Sequence, residues 1–462
     1  MSHWNRYKYL IGIVALGFAL LMLWGIAGLR QAEREFQQAD YPAAAESYAR
    51  VARVLFWRGD LWEKAGIAAA LGEDHVAAIA YLEKAPSLSA EGWFRLGASH
   101  YQLQDAAAAI TAVEQGLQTH DSPALYSLLA LLRRSQKNWQ AEQDALANQI
   151  RLDDGDAYAH YRLGLLLTLS SPDDALPVLT RASFLNPEVD SAVQTIRAAL
   201  ALSSMQADDS QKLLAIGRAF GLVQEWELAI VAFSQAVEFD PQNAEAWAWL
   251  GEANQQTGQE GSAELDHALS LSETNPTVHA LRALQWTRQG NYEQALAEYL
   301  LAAKYDSQNP AWQAGVGDAY FKLGNLVAAL AAYQRAVELA PGDAAYLVRL
   351  AIFCAENGVY VEEAGLPAVQ QAVMLAPNDP LALDALGMSY FATRRYASAE
   401  QALTQAIELA PDYFPAHIHL ALNYLAQGNR AAAFNSLTFV RDADESGLYR
   451  ETVIHLLEQY FP

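Results

Sequence analysis

Cysteine is almost absent from the 462-residue chain, which contains one, Cys354. A single cysteine excludes an intramolecular disulfide, a four-cysteine zinc centre and a Cys-x-x-Cys redox pair. A low cysteine content suits either side of a bacterial membrane, so it does not fix the compartment. Because Cys354 stands where the surrounding helical pattern requires a core residue, we expect it to have a structural role.

Basic residues are scarce as well. The chain has 30 Lys and Arg against 53 Asp and Glu, which gives a formal net charge of −23 at pH 7. An electrostatic field of this sign repels phosphate backbones, so nucleic acid is not an expected partner.

Motifs for catalysis and for metal binding are missing too. The sequence has no H-E-x-x-H, no Walker loop and no G-x-S-x-G. Residues 315–317 begin a G-x-G, but they lie within a predicted helix that no strand precedes. His417 and His419 are two residues apart and cannot share a helix face. The acidic run 153–156 falls at a junction where caps and turns are expected. We therefore predict no catalytic residue, metal or cofactor.

One long apolar run is present near the N-terminus. Tyr9–Leu29 comprises 21 residues without a charge, and a helix of that length spans roughly 30 Å, the thickness of a bilayer's hydrocarbon core. Trp4, Tyr7 and Tyr9 on one side and Trp24 near the other resemble interfacial aromatic anchors. We predict that residues 1–30 form a short tail and a transmembrane helix.

The alternative is a cleaved signal peptide. Residues 25–27, Gly-Ile-Ala, offer small side chains for a cleavage site, although the apolar run is long for a signal peptide. Arg6 and Lys8 precede the run, and Arg30 and Arg34 follow it, so the count of positive charges is balanced. The α-amino group and the lack of acids in the tail favour a cytoplasmic N-terminus with the rest of the chain outside. Cleavage would instead yield a secreted protein.

The most informative stretch is Pro310–Asp343, which has the pattern of two short amphipathic helices and a stop. Gly324-Asn325 separates the two helices, and Pro341-Gly342-Asp343 ends the second. The predicted buried positions are Trp312, Val316, Gly317 and Tyr320 in the first helix and Leu326, Ala329, Tyr333 and Ala336 in the second.

This stretch recurs and resembles the tetratricopeptide repeat (TPR) family, whose 34-residue unit has the pattern W-x2-L-G-x2-Y…A-x3-F…P. Matching residues in two further units are Leu213, Ile216, Gly217, Phe220, Ala229, Phe233, Ala236 and Pro241, then Leu383, Leu386, Gly387, Tyr390, Ala399, Leu403, Ala406 and Pro411. Units start at residues 210, 244, 276, 310, 344, 380 and 414. An ordinary helical bundle would not hold this phase.

The resemblance implies an all-α fold, a right-handed superhelical solenoid of TPR helix hairpins preceded by one N-terminal transmembrane helix. The predicted segments are a first TPR lobe at 31–189, an irregular joint at 190–209, a second TPR lobe at 210–445 and a C-terminal capping helix at 446–462. In the first lobe a second-helix pattern follows Gln31, and looser units start near Gly59, Ala90, Pro123 and Ala157. The joint is equally consistent with a degenerate repeat whose second helix is shortened.

The resemblance also suggests where a partner would bind. In TPR superhelices the first helix of each unit lines a concave groove, which an extended or helical peptide would suit. Transferred to this chain, that geometry gives a peptide-binding groove of Phe94, Tyr101, Tyr158, Tyr161, Glu252, Asp318, Phe321, Ile352, Met388, Phe391, Ile418 and Leu422. This lining is more apolar than solvation requires, and it is poor in the lysines and asparagines of TPRs that bind acidic chaperone tails. Alternatively, neighbouring first helices bury these side chains against each other.

We therefore predict a non-enzymatic, membrane-tethered TPR scaffold of the bacterial envelope. Protein or peptide partners would bind in the groove, and Tyr9–Leu29 would anchor the chain in the membrane. The alternative is an accessory subunit of an envelope enzyme complex, such as glycosyltransferase, cytochrome maturation or secretion machinery. In that case any catalysis belongs to the partner.

Overall fold

The computed structural model describes residues 3–462, without the side chains of residues 3–12, 14 and 18. The predicted aromatic anchors Trp4, Tyr7 and Tyr9 lie outside the described side chains, as do Arg6 and Lys8. Residues 3–462 form helices and turns without a strand, so the prediction of an all-α chain is confirmed. Contacts divide the chain into two compact units, Met1–Leu228 and Ala229–Pro462.

The helices of the first unit are α1 (His3–Gln37), α2 (Tyr41–Val54), α3 (Asp60–Leu71), α4 (His75–Leu82), α5 (Ala90–Gln102), α6 (Ala106–Leu117), α7 (Pro123–Ser135), α8 (Trp139–Leu152), α9 (Ala157–Ser170), α10 (Pro172–Leu185), α11 (Asp190–Ser204) and α12 (Asp209–Leu222). A 3₁₀ turn, Pro187–Val189, precedes α11.

The helices that follow are α13 (Trp226–Phe239), which contains the boundary between the units, then α14 (Ala244–Gln256), α15 (Ser262–Leu271), α16 (Pro276–Arg288), α17 (Tyr292–Tyr305), α18 (Pro310–Lys322), α19 (Leu326–Leu339), α20 (Ala344–Asn357), α21 (Leu366–Leu375), α22 (Pro380–Ala392), α23 (Tyr396–Leu409), α24 (Phe414–Ala426), α25 (Arg430–Ala443) and α26 (Arg450–Tyr460). A π-helical turn, Val361–Gly365, precedes α21.

The first helix of each predicted repeat starts within one residue of the predicted position. The predicted lobe and joint boundaries remain predictions. Within 190–209 the chain forms α11, and residues 205–208 are non-helical.

Local side chains explain where the helices start. Asn275, Asn309 and Asp343 each cap a first helix by accepting a hydrogen bond from a backbone N–H two or three residues later. Between the two helices of a hairpin the chain reverses through a left-handed residue, such as Gly324 with φ of +75°. The asparagine that follows it, Asn325, then caps α19. The α18–α19 hairpin is thus specified by a glycine and two caps.

Small residues bring the two helices of a hairpin together. A β-carbon added at Gly97 would stand 2.6 Å from Val113, and one added at Gly387 would stand 2.5 Å from Leu403. Real β-carbons do not approach other atoms so closely. The glycine of the repeat pattern is therefore required because a large side chain of the second helix lies against it.

The predicted core residues are inside the hairpins. Ala329 and Cys354 have no exposed surface, and Tyr333 is 4% exposed. Trp62, Trp93, Trp247, Tyr320, Tyr390 and Tyr424 are partly buried and pack against the core clusters. These aromatics of the repeat positions are therefore mainly packing residues, and the expectation that Cys354 has a structural role in the core is confirmed.

Helix α1 joins the apolar run to the first hairpin without a break. Its last turns pack on α2, where Ala32 is fully buried in a cluster with Ala44 and Tyr48. Further toward the N-terminus its apolar side chains are exposed, including Leu20 at 60% and Leu23 at 65%. By length and mean hydropathy alone, the segment Ala15–Gln37 is a candidate to cross a membrane, although its last residues, from Arg30 onward, are mostly charged or polar.

Candidate functional site

A cavity of about 380 Å³ opens in the second unit between first helices of successive repeats. The first helices α16, α18 and α20 and the second helices α17 and α19 all contribute to its lining. The lining residues are Leu284, Thr287, Tyr292, Tyr299, Asp318, Ala319, Phe321, Lys322, Tyr333, Arg349, Ile352, Phe353 and Glu356. The cavity thus brings together Asp318, Phe321 and Ile352 of the predicted groove.

Asp318 connects three helices at the edge of this cavity. The hydroxyl of Tyr333 on α19 donates a hydrogen bond of 2.7 Å to its Oδ1. Arg349 on α20 donates to both carboxylate oxygens, with Nε 3.1 Å from Oδ1. A bidentate contact of this kind fixes the orientation of both side chains. Asp318 therefore holds neighbouring repeats together, and its charge is balanced by Arg349.

Aromatic rings form the apolar part of the lining. The rings of Phe321 and Phe353 meet edge to face at a centroid distance of 5.7 Å, and Phe353 also contacts Tyr333 at 5.0 Å. The ammonium of Lys322 lies 5.7 Å from the centre of the Phe321 ring, and Ile352 lies beside these rings. The cavity thus combines an aromatic and aliphatic floor with charged side chains at its rim.

Two buried tyrosines of the cavity have raised pKa values. Burial raises the pKa of Tyr299 to about 12, with a further contribution from the Asp318 carboxylate. The pKa of Tyr333 is also raised, first by burial and then by Asp318. Both phenols stay protonated at neutral pH. The cavity has room for an apolar side chain.

A smaller cavity of about 250 Å³ lies in the first unit and is lined by Phe94 and Tyr158 of the predicted groove. The Tyr158 hydroxyl accepts a 2.7 Å hydrogen bond from Arg134. Behind it Arg162 is buried, and its guanidinium donates to Glu142 at 2.7 Å and to Glu225 at 2.8 Å. This wall is therefore fixed by buried charges and not by apolar packing alone.

The other predicted groove residues lie outside these two cavities. Glu252 is 3% exposed, with both oxygens hydrogen-bonded to Arg288, and Ile418 is 8% exposed. Their assignment to an open groove is wrong, because a buried side chain leaves no surface for a ligand. Tyr101, Tyr161, Met388, Phe391 and Leu422 are half-buried and remain predictions.

The candidate metal-binding groups already have protein partners. His419 Nδ1 lies 2.7 Å from Asp384, and His417 Nε2 lies 2.9 Å from the carbonyl oxygen of Pro411. In the acidic run 153–156, Asp154 contacts Arg181 at 2.5 Å, and Asp156 caps α9. These polar contacts stabilise turns and helix ends.

Sequence inspection missed Arg349 and Tyr333 as lining residues. Tyr333 was assigned to the core, and Arg349 was given no role. The available signal was the 31-residue separation of Arg349 from Asp318, which is close to one repeat and places opposite charges on successive first helices.

Three parts of the chain match family models. Residues 287–344 and 380–413 match models described as "Tetratricopeptide repeat", and residues 217–258 match one described as "TPR repeat". The matched segments cover α17 to α19, α22 to α23, and the end of α12 together with α13 and α14.

Known proteins give partial similarity. The chain is 29% identical over 139 residues to the BBSome complex member BBS4 of Bos taurus. This alignment covers 30% of this chain and 27% of that protein. It is 30% identical over 156 residues to human tetratricopeptide repeat protein 17. This alignment covers 32% of this chain and 13% of that protein. The matches therefore span about a quarter or less of these relatives.

Among solved structures, a tetratricopeptide repeat protein from Parabacteroides merdae aligns at 19% identity and a TM-score of 0.43, covering 55% of this chain and 99% of that one. Helix hairpins in a 34-residue phase, the glycine contacts within them and three family-model matches agree. The chain belongs to the tetratricopeptide repeat family.

Proposed function

We propose that this protein is a non-enzymatic scaffold tethered to a membrane by α1, and that it holds a protein partner through the second-unit cavity around Phe321. Tetratricopeptide repeats support protein–protein interaction as the general role. The observation that carries the proposed site is the cavity of about 380 Å³. Apolar surface of this kind, rimmed by charges, usually marks a contact site.

The chemistry of the cavity indicates what the partner presents. Phe321, Ile352 and Phe353 offer an apolar floor, which suits an aliphatic or aromatic side chain of a peptide. The Asp318 carboxylate is already occupied by Tyr333 and Arg349, so it adds little net charge. A peptide in an extended or helical conformation could place one such anchor side chain in the cavity.

A matched pair of substitutions tests this site. Phe321→Glu places a charge on the cavity floor, whereas Val327→Glu places the same charge on a residue of the same repeat that is 73% exposed and outside the lining. Partners are recovered from detergent-solubilised membranes with the full chain as bait. We expect Phe321→Glu to lose proteins that the wild type and Val327→Glu retain. Equal recovery with all three chains would refute the cavity assignment.

The packing of α1 supports an uncleaved tether. Gly25 and Gly28 lie against α2, where added β-carbons would stand 2.7 Å from Leu55 and 2.7 Å from Val51. The small residues of the possible cleavage site therefore have a packing role. Cleavage near residue 27 would remove Gly25 and uncover Leu55, which is now 5% exposed.

Membrane extraction and N-terminal mass spectrometry test the tether. We expect the full chain to remain in the pellet after alkaline carbonate washing, with its N-terminal segment intact. A mature protein that starts near residue 28, or that is released by carbonate, would refute the tether. The identity of recovered proteins tests the remaining alternative, since an envelope enzyme among them would make this chain its accessory subunit.

A further inference from the structure

The hairpin of α1 and α2 has a definite register. Gly28 lies against Val51, Gly25 lies against Leu55, and the ring of Phe36 lies 5.4 Å from that of Tyr41 at the other end. The helices therefore run antiparallel, and the end of α2 lies beside the apolar part of α1. The turn that follows α2 is level with the last part of the uncharged run.

This level can be placed relative to a bilayer. Gly25 precedes Leu29, the end of the uncharged run, by four residues, which is about 6 Å along a helix. The headgroup layers add roughly 5–7 Å on each side of the hydrocarbon core. If α1 spans the membrane, the end of α2 thus reaches the boundary between headgroups and hydrocarbon.

The segment at this boundary, Leu55–Gly59, exposes large apolar side chains. Phe56 is 79% exposed and Trp57 is 44% exposed, and their rings meet edge to face at 5.1 Å. On the neighbouring turns of α1, Leu23 and Trp24 are exposed as well. Such a patch is unfavourable in water and suits the interfacial layer, where aromatic rings are enriched.

Positive charge accompanies these rings although the whole chain is acidic. Arg50 and Arg53 are exposed on the last turns of α2, and Arg30 follows the uncharged run directly. Arg58 lies within the segment and pairs with Asp60 at 2.7 Å. Basic residues at the end of an apolar surface attract anionic headgroups.

We propose that the Leu55–Gly59 segment is a second membrane contact, which inserts Phe56 and Trp57 into the interfacial layer of a bilayer that contains anionic lipids. The proposal rests on the proposed tether, because α1 brings the segment to the surface. A tether with one contact lets the attached repeats tilt freely, whereas two contacts restrict their orientation. The segment thereby orients the first hairpins with respect to the membrane.

Site-specific fluorescence tests this contact in the full chain. Cys354 is fully buried, so Phe56→Cys supplies one accessible thiol for an environment-sensitive dye. Val76→Cys is the control, because Val76 at the start of α4 is 67% exposed. Val76 follows the turn after α3, where Gly72 contacts Pro42 at the start of α2. It therefore lies at the end of the hairpins opposite to Leu55–Gly59. Both chains are reconstituted in vesicles of phosphatidylcholine and phosphatidylglycerol that carry doxyl-labelled lipid.

We expect the doxyl lipid to quench the dye at position 56 several-fold more than the dye at position 76, and to quench it less when phosphatidylglycerol is omitted. Equal quenching at the two positions, in chains that float with the vesicles, would overturn the second contact and leave the tether intact. Quenching at position 56 that does not depend on phosphatidylglycerol would overturn the requirement for anionic lipid. Chains that do not float with vesicles would overturn the tether itself and the contact with it.

Discussion

The ring of Tyr333 lies against the backbone of Gly317, so that a β-carbon at position 317 would stand 2.7 Å from its Cε1. We therefore expect Gly317→Leu to overpack the α18–α19 hairpin and to destabilise it by about 1–3 kcal/mol. The measurement is urea denaturation followed by circular dichroism, with Gln313→Leu on the same helix as the control. Equal midpoints for Gly317→Leu and wild type would contradict the repeat register.

The buried ion pair of Arg162 and Glu142 leads to a second prediction. Both side chains are 2% exposed, and the two nitrogens of Arg162 that face Glu142 lie 2.7 and 3.2 Å from its oxygens. Arg162→Met leaves the Glu142 carboxylate buried without its cation, which typically costs about 3–5 kcal/mol. The thermal midpoint of the variant should fall accordingly.

An exposed pair provides the control for that experiment. Arg151 and Asp121 lie 2.9 Å apart and are each about half exposed. Water and salt screen exposed pairs of this kind, so Arg151→Met should lower the midpoint only slightly. If Arg162→Met and Arg151→Met had the same thermal midpoint, the buried pair would contribute no more to stability than the exposed pair.

Hairpin positions could be predicted from the sequence because they depend on local chemistry. The asparagine or aspartate cap, the glycine at the turn and the glycine opposite a large side chain each occupy a fixed place in the unit, as in Asn309, Gly324 and Gly317. In the first unit the left-handed turn position is taken by other residues, such as Gln104 and Lys137 with φ of +63° and +56°. The sequence pattern of the first unit is looser for this reason, although the turn residues have the same left-handed backbone conformation.

The candidate site was only partly predictable. Asp318, Phe321 and Ile352 followed from their places on first helices, but whether a side chain is open or buried depends on its neighbours. Glu252 is buried because Arg288, 36 residues later, folds over it. A single sequence contains no direct signal for such a pairing. The packing of Gly25 against Leu55 was missed for a similar reason, since small residues near an apolar run also suit a cleavage site.

A third prediction concerns pH. His279 is buried, with Nδ1 2.6 Å from Glu298 and Nε2 3.0 Å from the carbonyl oxygen of Glu273. The hydrogen bond to Glu298 is the main cause that raises the pKa of His279 above its ordinary value. A raised pKa in the folded state stabilises the protein below the unfolded pKa of about 6.5, and this contribution is lost as the pH rises through the folded value.

We therefore expect the thermal midpoint of the wild type to fall between about pH 6 and pH 8 by more than that of His279→Gln, which cannot gain the proton. The difference between the two chains, measured in buffers of matched ionic strength, isolates His279 from the other titrating groups. Parallel profiles for the two chains would show that the Glu298 contact does not couple to folding.

The last prediction concerns the thiol of Cys354. The side chain has no exposed surface, and it packs against Gly365, where an added β-carbon would stand 2.7 Å from the cysteine Cβ. Burial, with a smaller contribution from Glu363, raises its pKa to about 11. Because the thiolate is the reactive form, the native chain should react slowly with a disulfide reagent at about pH 8, where an ordinary thiol is partly ionised. The reaction should become fast and stoichiometric in urea. In Val76→Cys one thiol should react rapidly in the native state and a second only on unfolding, whereas rapid reaction of the native wild type would place Cys354 outside the core.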